Sequence, residues 1–342
     1  MFRQGKLDYY LAGLPRYWYD KAEIPEIYHG YIERHVFYNQ YPQLTWSIYL
    51  NESKPPLDNL DIRLGISYAM NFQKLIDVDF RGDKTRMQSM FSGFGKFTNP
   101  NLRARPFDPE KAREHFAKAG YTKAGPDGIL QDAAGQRLSF TLTTFNFGTI
   151  MPLMLRLKEE AKKAGLEIKI EGLDGTQMYK KLHQKNHEMG LAGFGAQPPY
   201  PEFFQFFHSE NAFKTGKDGK REVVPDTNNI TQTADPVLDK LIDQQRKAQT
   251  EEEVQRLSWQ IEKLVEDRAS VIPAWEAPFY RYLCWRWVRW PKTGNARKSQ
   301  MPMDAHMYWI DEDVKRETKE AMRTGRDFGE VLRVFDTYRT EK

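Results

Sequence analysis

Between residues 50 and 210, stretches of helical periodicity alternate with stretches of period-two alternation, the order from which α/β architectures are built. Asp58 or Asn59 can cap a helix with Ile62, Ile66, Ala69 and Met70 on one face. Asp108-Pro109 opens a second helix, an N-cap followed by proline at the first helical position. It runs through Ala112, Phe116 and Ala119 and stops at Gly120. Leu138 to Thr144 alternates like a half-buried strand, Met151 to Ala164 forms a third helix ended by Gly165, and Leu166 to Glu171 alternates again. A short helix over Gln177 to Gln184 follows.

The flanks are less regular. Val36-Phe37-Tyr38 and Thr45 to Leu50 have strand composition, and Phe80 to Arg105 reads as loop. Phe213 to Asp226 is polar, with Gly216 and Gly219, and suits an exposed loop or hairpin. Asp235-Pro236 caps a helix to about Thr250, and Thr250 to Glu253 forms a capping box for the next, through Val265. Val271 to Trp275 and Tyr280 to Trp290 read as strands. From Asp311 the chain reads as a charged amphipathic helical tail, with Phe328, Val331, Leu332 and Phe335 at helical spacing.

With 342 residues the chain can form two domains. A net charge of +4 is too small for a strongly basic nucleic-acid surface. The aromatic-basic run around Trp285-Arg286-Trp287 therefore reads as a sheet strand rather than a stacking site for single strands. The single cysteine, Cys284, gives neither a disulfide framework nor a cysteine metal site, and it reads as a buried hydrophobe. No apolar run reaches the ~18 residues of a spanning helix. Met1 to Tyr10 lacks the apolar core of a signal peptide.

The segment Gly190 to Phe204 concentrates the functional interest. Read as a strand over Gly190 to Ala196, it places Gly193 and Gly195 on one face without side chains, open to another backbone. Pro198, Pro199 and Pro201 then stop regular structure and present Gln197, Tyr200 and Glu202 at a strand end, where α/β proteins bind ligands. Close packing alone also accounts for the two glycines. Arg86, in a glycine-bounded loop, is either solvated or a partner for a carboxylate or phosphate. Trp46 and Trp275 suit the core or a stacking platform.

Several motifs fall in an order that resembles one family, the dipeptide/oligopeptide-type extracellular solute-binding proteins (family 5) of bacterial ABC importers. They are Asn51 to Ala69, with Pro56, Asp58, Asn59 and Arg63; Pro106 to Arg113 followed by Ala117 to Tyr121; Leu157 to Ile170; Asn229 to Ile242; and Val271 to Trp275. Trp275, the Trp285/Trp287/Trp290 group and Met307 to Asp311 are most similar to the subgroup that takes up microcin-like or modified peptides.

The resemblance implies a two-lobed periplasmic-binding-protein fold of class II with lobe one incomplete. Residues 1–49 would be a late part of lobe one, 50–273 lobe two, 274–310 the return to lobe one, and 311–342 a helical tail. The hinge crossings would lie near Tyr49–Asn51 and Pro273–Trp275, and the N-terminal segment and signal peptide would be missing, leaving lobe-one surface exposed. It also implies a periplasmic monomer without cofactor, metal or catalytic residues. Such a protein holds an extended peptide-like ligand between its lobes by strand addition and delivers it to an inner-membrane ABC permease. The ligand site would include Gly193, Gly195, Gln197, Glu202, Tyr49, Asn51, Arg86 and Trp275; for Tyr49 and Asn51, strand pairing is an equal reading.

In this family an aspartate at the end of that strand holds the ligand's α-ammonium. Gln197 stands at the matching position, which implies a ligand that is blocked or neutral there, unless Glu202 replaces the charge.

Other chemistries fit less well. His183 and His187 are four apart, but the order His-Glu-x-x-His is absent and the helix ends near Gln184, so they read as two surface histidines. Gly93-Phe94-Gly95 lacks the strand and helix of a dinucleotide loop, and no Gly-x-Ser-x-Gly occurs. A carbohydrate-active hydrolase would need an acid pair, for which Asp174 and Glu202 are the candidates. A receptor for oligosaccharides or opine-like sugars would use the aromatics equally well.

Overall fold

The computed structural model describes residues 1–342 except 43, 196–198, 295, 300, 301, 303–305 and 340–342. In chain order its main strands and helices begin with β1 (Tyr9–Leu11), β2 (Ile32–Phe37), β3 (Ser47–Leu50), α1 (Leu60–Ala69) and α2 (Pro109–Lys118). They continue with β4 (Ser139–Phe145), α3 (Met151–Lys162), β5 (Glu167–Leu173), α4 (Gly175–His183), β6 (Met189–Ala192) and the single turn α5 (Phe204–Phe207). The last are α6 (Pro236–Lys247), α7 (Glu251–Arg268), β7 (Val271–Pro273), β8 (Tyr280–Trp285), α8 (Glu312–Thr324) and β9 (Leu332–Phe335).

The helix starts follow local chemistry. Asn59 accepts a hydrogen bond from Asp61 N, Asp108 from Lys111 N, Asp235 from Val237 N and Leu238 N, and Thr250 from Glu253 N. Each satisfies donors that a helix terminus leaves unbonded. Gly120, with φ 94°, turns the chain away after α2 in a conformation that costs glycine little.

The chain divides into two compact units. The larger comprises residues 43–79 and 86–276 and contains a five-stranded sheet in the order β7-β3-β6-β4-β5. β3 lies antiparallel to both β7 and β6, pairing Tyr49 with Val271 and with Gly190. β4 is parallel to both β6 and β5. Its core includes Tyr49, Phe91, Phe194, Phe203, Phe207, Leu238 and Ile261. The segment 213–223 forms an exposed hairpin.

The smaller unit comprises residues 1–42, 80–85 and 277–342 and has a four-stranded sheet in the order β1-β8-β2-β9. Its core gathers Phe37, Tyr282, Cys284, Trp285 and Trp287. The last two rings stack 4.6 Å apart, across a turn at Arg286 and Trp287 that ends β8 before Trp290.

The unit boundaries and the tail differ from expectation. The units divide at 42/43 and 276/277, with an excursion over 80–85, a few residues outside the expected crossings near Tyr49–Asn51 and Pro273–Trp275; β3 and β7 both belong to the larger unit's sheet. The tail is helical only over α8. Its last apolar residues form β9, parallel to β2, because they obey period two: Phe335 stacks on Phe37 at 4.7 Å and Arg333 binds Glu33. Glu33 is 2% exposed. Burial alone would raise its carboxyl, but hydrogen bonds from His35 and Arg333 hold it down at about 2.

Candidate functional site

β6 ends at Ala192, four residues short of the expected Ala196, so Gly193 and Gly195 lie beyond the strand. The Gly193 carbonyl accepts a hydrogen bond from Tyr179 Oη of α4 at 2.7 Å. Among the described residues, pairing with the chain before β3 continues through Thr45, whose N–H donates to Phe194 O and whose Oγ1 accepts from Phe194 N. Gly193 faces the Trp46 indole. Gly195 is exposed and faces open space.

That open space is a pocket of about 740 Å³ within the larger unit, in the size range of small-molecule sites. Its buried lining includes Thr45, Phe91, Phe94, Phe194 and Phe206; its exposed lining includes Gly195, Tyr200, Glu202, Gln205 and Arg246. The rings of Phe194 and Phe206 meet edge to face at 5.2 Å. Glu202 Oε1 accepts from Phe204 N at 3.0 Å, and the Arg246 guanidinium lies 4.1 Å over the Phe204 ring, so both charged lining residues are anchored at α5.

Among the described residues, Gly195 and Glu202 are the expected site residues that line this pocket. Gln197 lies outside the described residues. Tyr49 is 1% exposed, and its hydroxyl bonds to Thr45 O and Thr45 Oγ1; burial pushes its pKa up. Asn51 is fully buried. It donates to Lys185 O and His187 O and accepts from Ser53 N and Oγ, which accounts for the whole side chain. Both residues hold the fold, which corrects their reading as ligand contacts. Asn229 and Arg268 act similarly, Asn229 tying His208 O to Thr233 and Arg268 joining Glu52 to Asp235.

Arg86 is not simply solvated. Its Nη1 donates to Ala274 O at 2.8 Å, its guanidinium lies 4.8 Å over Phe72, and its Nη2 is buried with no partner among the described residues. Burial pushes its pKa down to about 9. Phe72 packs at 6.0 Å against Trp275, which is buried and stacks on Trp46 at 5.9 Å.

His187, expected at the surface, is 2% exposed. Desolvation, then the charge of Lys185, pushes its pKa down to about 3. No cluster of three metal-ligating side chains occurs among the described residues. The phenylalanine lining went unnoticed in sequence; the spacing of Phe91 and Phe94 and the run Phe203 to Phe207 were its only traces.

The fold is the α/β fold of periplasmic binding proteins. The oligopeptide-binding protein AppA from Bacillus subtilis, solved with a nonapeptide, superposes with TM-score 0.74 at 14% identity, over 91% of this chain and 57% of that one. A mannohexaose-bound periplasmic oligopeptide-binding protein from Thermotoga maritima gives 0.66 at 18%, over 84% and 53%.

Residues 1–215 match the bacterial extracellular solute-binding proteins, family 5, in the part described as middle, and the chain belongs to that family. The glutathione-binding protein GsiB of Salmonella paratyphi A is 25% identical over 238 residues, 64% of this chain and 42% of that protein. The chain thus spans less than two thirds of the length of each of these relatives. No helix among the described residues is long and apolar enough to cross a membrane.

Proposed function

We propose that this chain is the ligand-capturing part of an ABC importer's substrate-binding protein. It acts outside the cytoplasm, takes a peptide or modified peptide, and presents it to a membrane permease without chemical change. The larger unit corresponds to lobe two and the smaller to lobe one. The observation that carries this reading is the pocket of about 740 Å³ beside the end of β6, in a chain of this family. The peptide seen with AppA and the glutathione named for GsiB support the ligand class.

Gly195 and Glu202 line the site and Arg86 supplies a cation for a ligand carboxylate. Gln197, on its chemistry alone, favours a ligand without a free ammonium at its position. The acid pair of a hydrolase has little support: Asp174 caps α4 through Thr176 N and Gln177 N, and Glu202 is bonded to Phe204 N. An oligosaccharide ligand is the second reading, favoured by the mannohexaose of the Thermotoga protein.

Calorimetry on the 342-residue chain tests the reading with N-acetylated tripeptides, plain tripeptides and mannohexaose. Acetylated peptides should bind best. Micromolar binding of plain di- or tripeptides would sink the blocked-ligand proposal, and binding of mannohexaose alone would replace peptide by sugar.

A further inference from the structure

We infer that the pocket beside β6 is a receptor for one large aromatic side chain, and that Gly195, bare of a side chain, leaves room for it. This rests on the peptide-binding reading and specifies its ligand. Phe91, Phe94, Phe194 and Phe206 are all under a tenth exposed and line the pocket with carbon. Their rings meet edge to face, Phe91 on Phe206 at 6.3 Å and Phe194 on Phe206 at 5.2 Å, the arrangement that accepts a further ring favourably.

The buried polar group in that wall, the Thr45 hydroxyl, is already engaged by Phe194 N and Tyr49 Oη. A polar side chain pressed against that inner wall would therefore lose water and gain no partner from it; the uncharged amides of the lining, Gln205, Asn228 and Gln245, are exposed or half-buried. The charged lining residues, Glu202 and Arg246, are both exposed and held at Phe204. They are placed for the polar backbone of a ligand whose side chain points inward. A pocket of about 740 Å³ holds an indole with room to spare.

Gly195 matters because nothing lies within 4 Å of the position its Cβ would take, and its φ is outside the left-handed range. A side chain is tolerated there by the backbone, so its addition removes pocket volume without forcing the fold.

The test uses the full chain, its Gly195→Trp variant and a second variant, Ala248→Trp, at a half-buried alanine that also lines the pocket. Indole alone is followed by saturation-transfer NMR. N-acetyl-Ala-Trp-Ala and N-acetyl-Ala-Ala-Ala are compared by calorimetry. The expected result is indole contact in the parent chain, at least tenfold tighter binding of the tryptophan peptide, and loss of both in a variant that keeps the parent's melting temperature. Absent indole contact, indole contact undiminished in both variants, or equal affinity for the two peptides overturns the inference. Indole contact that the variants abolish, with no binding of either peptide, supports the aromatic pocket and overturns the peptide reading instead.

Discussion

The indole of Trp46 lies against the bare Cα of Gly193: a Cβ there would stand 3.0 to 3.4 Å from three ring atoms. Trp46 is itself held by stacking on Trp275 and by the Phe145 edge, so it has little freedom to withdraw. Gly193→Ala is expected to destabilise the larger unit by about 1–3 kcal/mol, the usual range for overpacking. Gly195→Ala should stay within about 0.5 kcal/mol. Denaturant melts of the two variants decide this, and equal costs would show that Trp46 yields.

Those two glycines also mark the limit of what the amino-acid order revealed. Helix starts at Asn59, Asp108, Asp235 and Thr250 were legible because a cap depends on three or four neighbouring residues. The glycine strand, expected to Ala196, ends four residues earlier at Ala192, because its end is set by Tyr179 and Thr45, from an adjoining helix and a distant strand approach. Period two and period 3.6 coincide over the few residues Val331 to Phe335, and the choice falls to Glu33 and Phe37, almost the whole chain away. The aromatic wall was illegible for the same reason: Phe91, Thr45 and Phe206 meet only in the folded unit. Asn51 stood in a family motif yet serves the backbone, since a buried amide surrounded by carbonyls is a structural tie.

His187 makes the larger unit acid-sensitive. Its folded pKa of about 3 lies below its ordinary 6.5, so the unfolded chain takes up the proton first. The stability this group contributes is fully present above pH 6.5 and is lost as pH falls towards 3, with a slope of at most about 1.4 kcal/mol per pH unit. His187→Gln should flatten the stability curve between those values. Urea melts at pH 4, 5 and 6 compared with the parent measure it, and parallel curves would show that His187 protonates freely in the fold.

Glu262 acts in the opposite direction. Burial pushes its carboxyl up to about 8, against hydrogen bonds from Asn99 N and Ser89, and its Oε1 has no partner among the described residues. The folded chain holds this proton longer than the unfolded one. The contribution is therefore fully present below pH 4.5 and is lost as pH rises through 8. Glu262→Gln keeps an acceptor for Asn99 and cannot ionise. It should match the parent at pH 5 and exceed it at pH 9; a variant no more stable than the parent at pH 9 would contradict this.

Arg86 is a desolvated cation with no carboxylate against it among the described residues. Burial is the cause of its lowered pKa, and a buried charge ordinarily has a counter-charge. Ala274 O and the Phe72 face supply only partial charge, leaving Nη2 unbonded among the described residues. If the ligand brings the missing anion, an N-acetyl tripeptide acid should bind the parent at least tenfold tighter than its C-terminal amide, about 1.4 kcal/mol. Arg86→Met should abolish that preference by weakening the acid and leaving the amide unchanged. Arg86→Lys keeps the charge but loses the planar fork, so it should recover only part of the preference. Calorimetry with both peptides on the three proteins makes the comparison. Acid and amide binding the parent equally would mean that Arg86 serves the backbone of Ala274 and not the ligand.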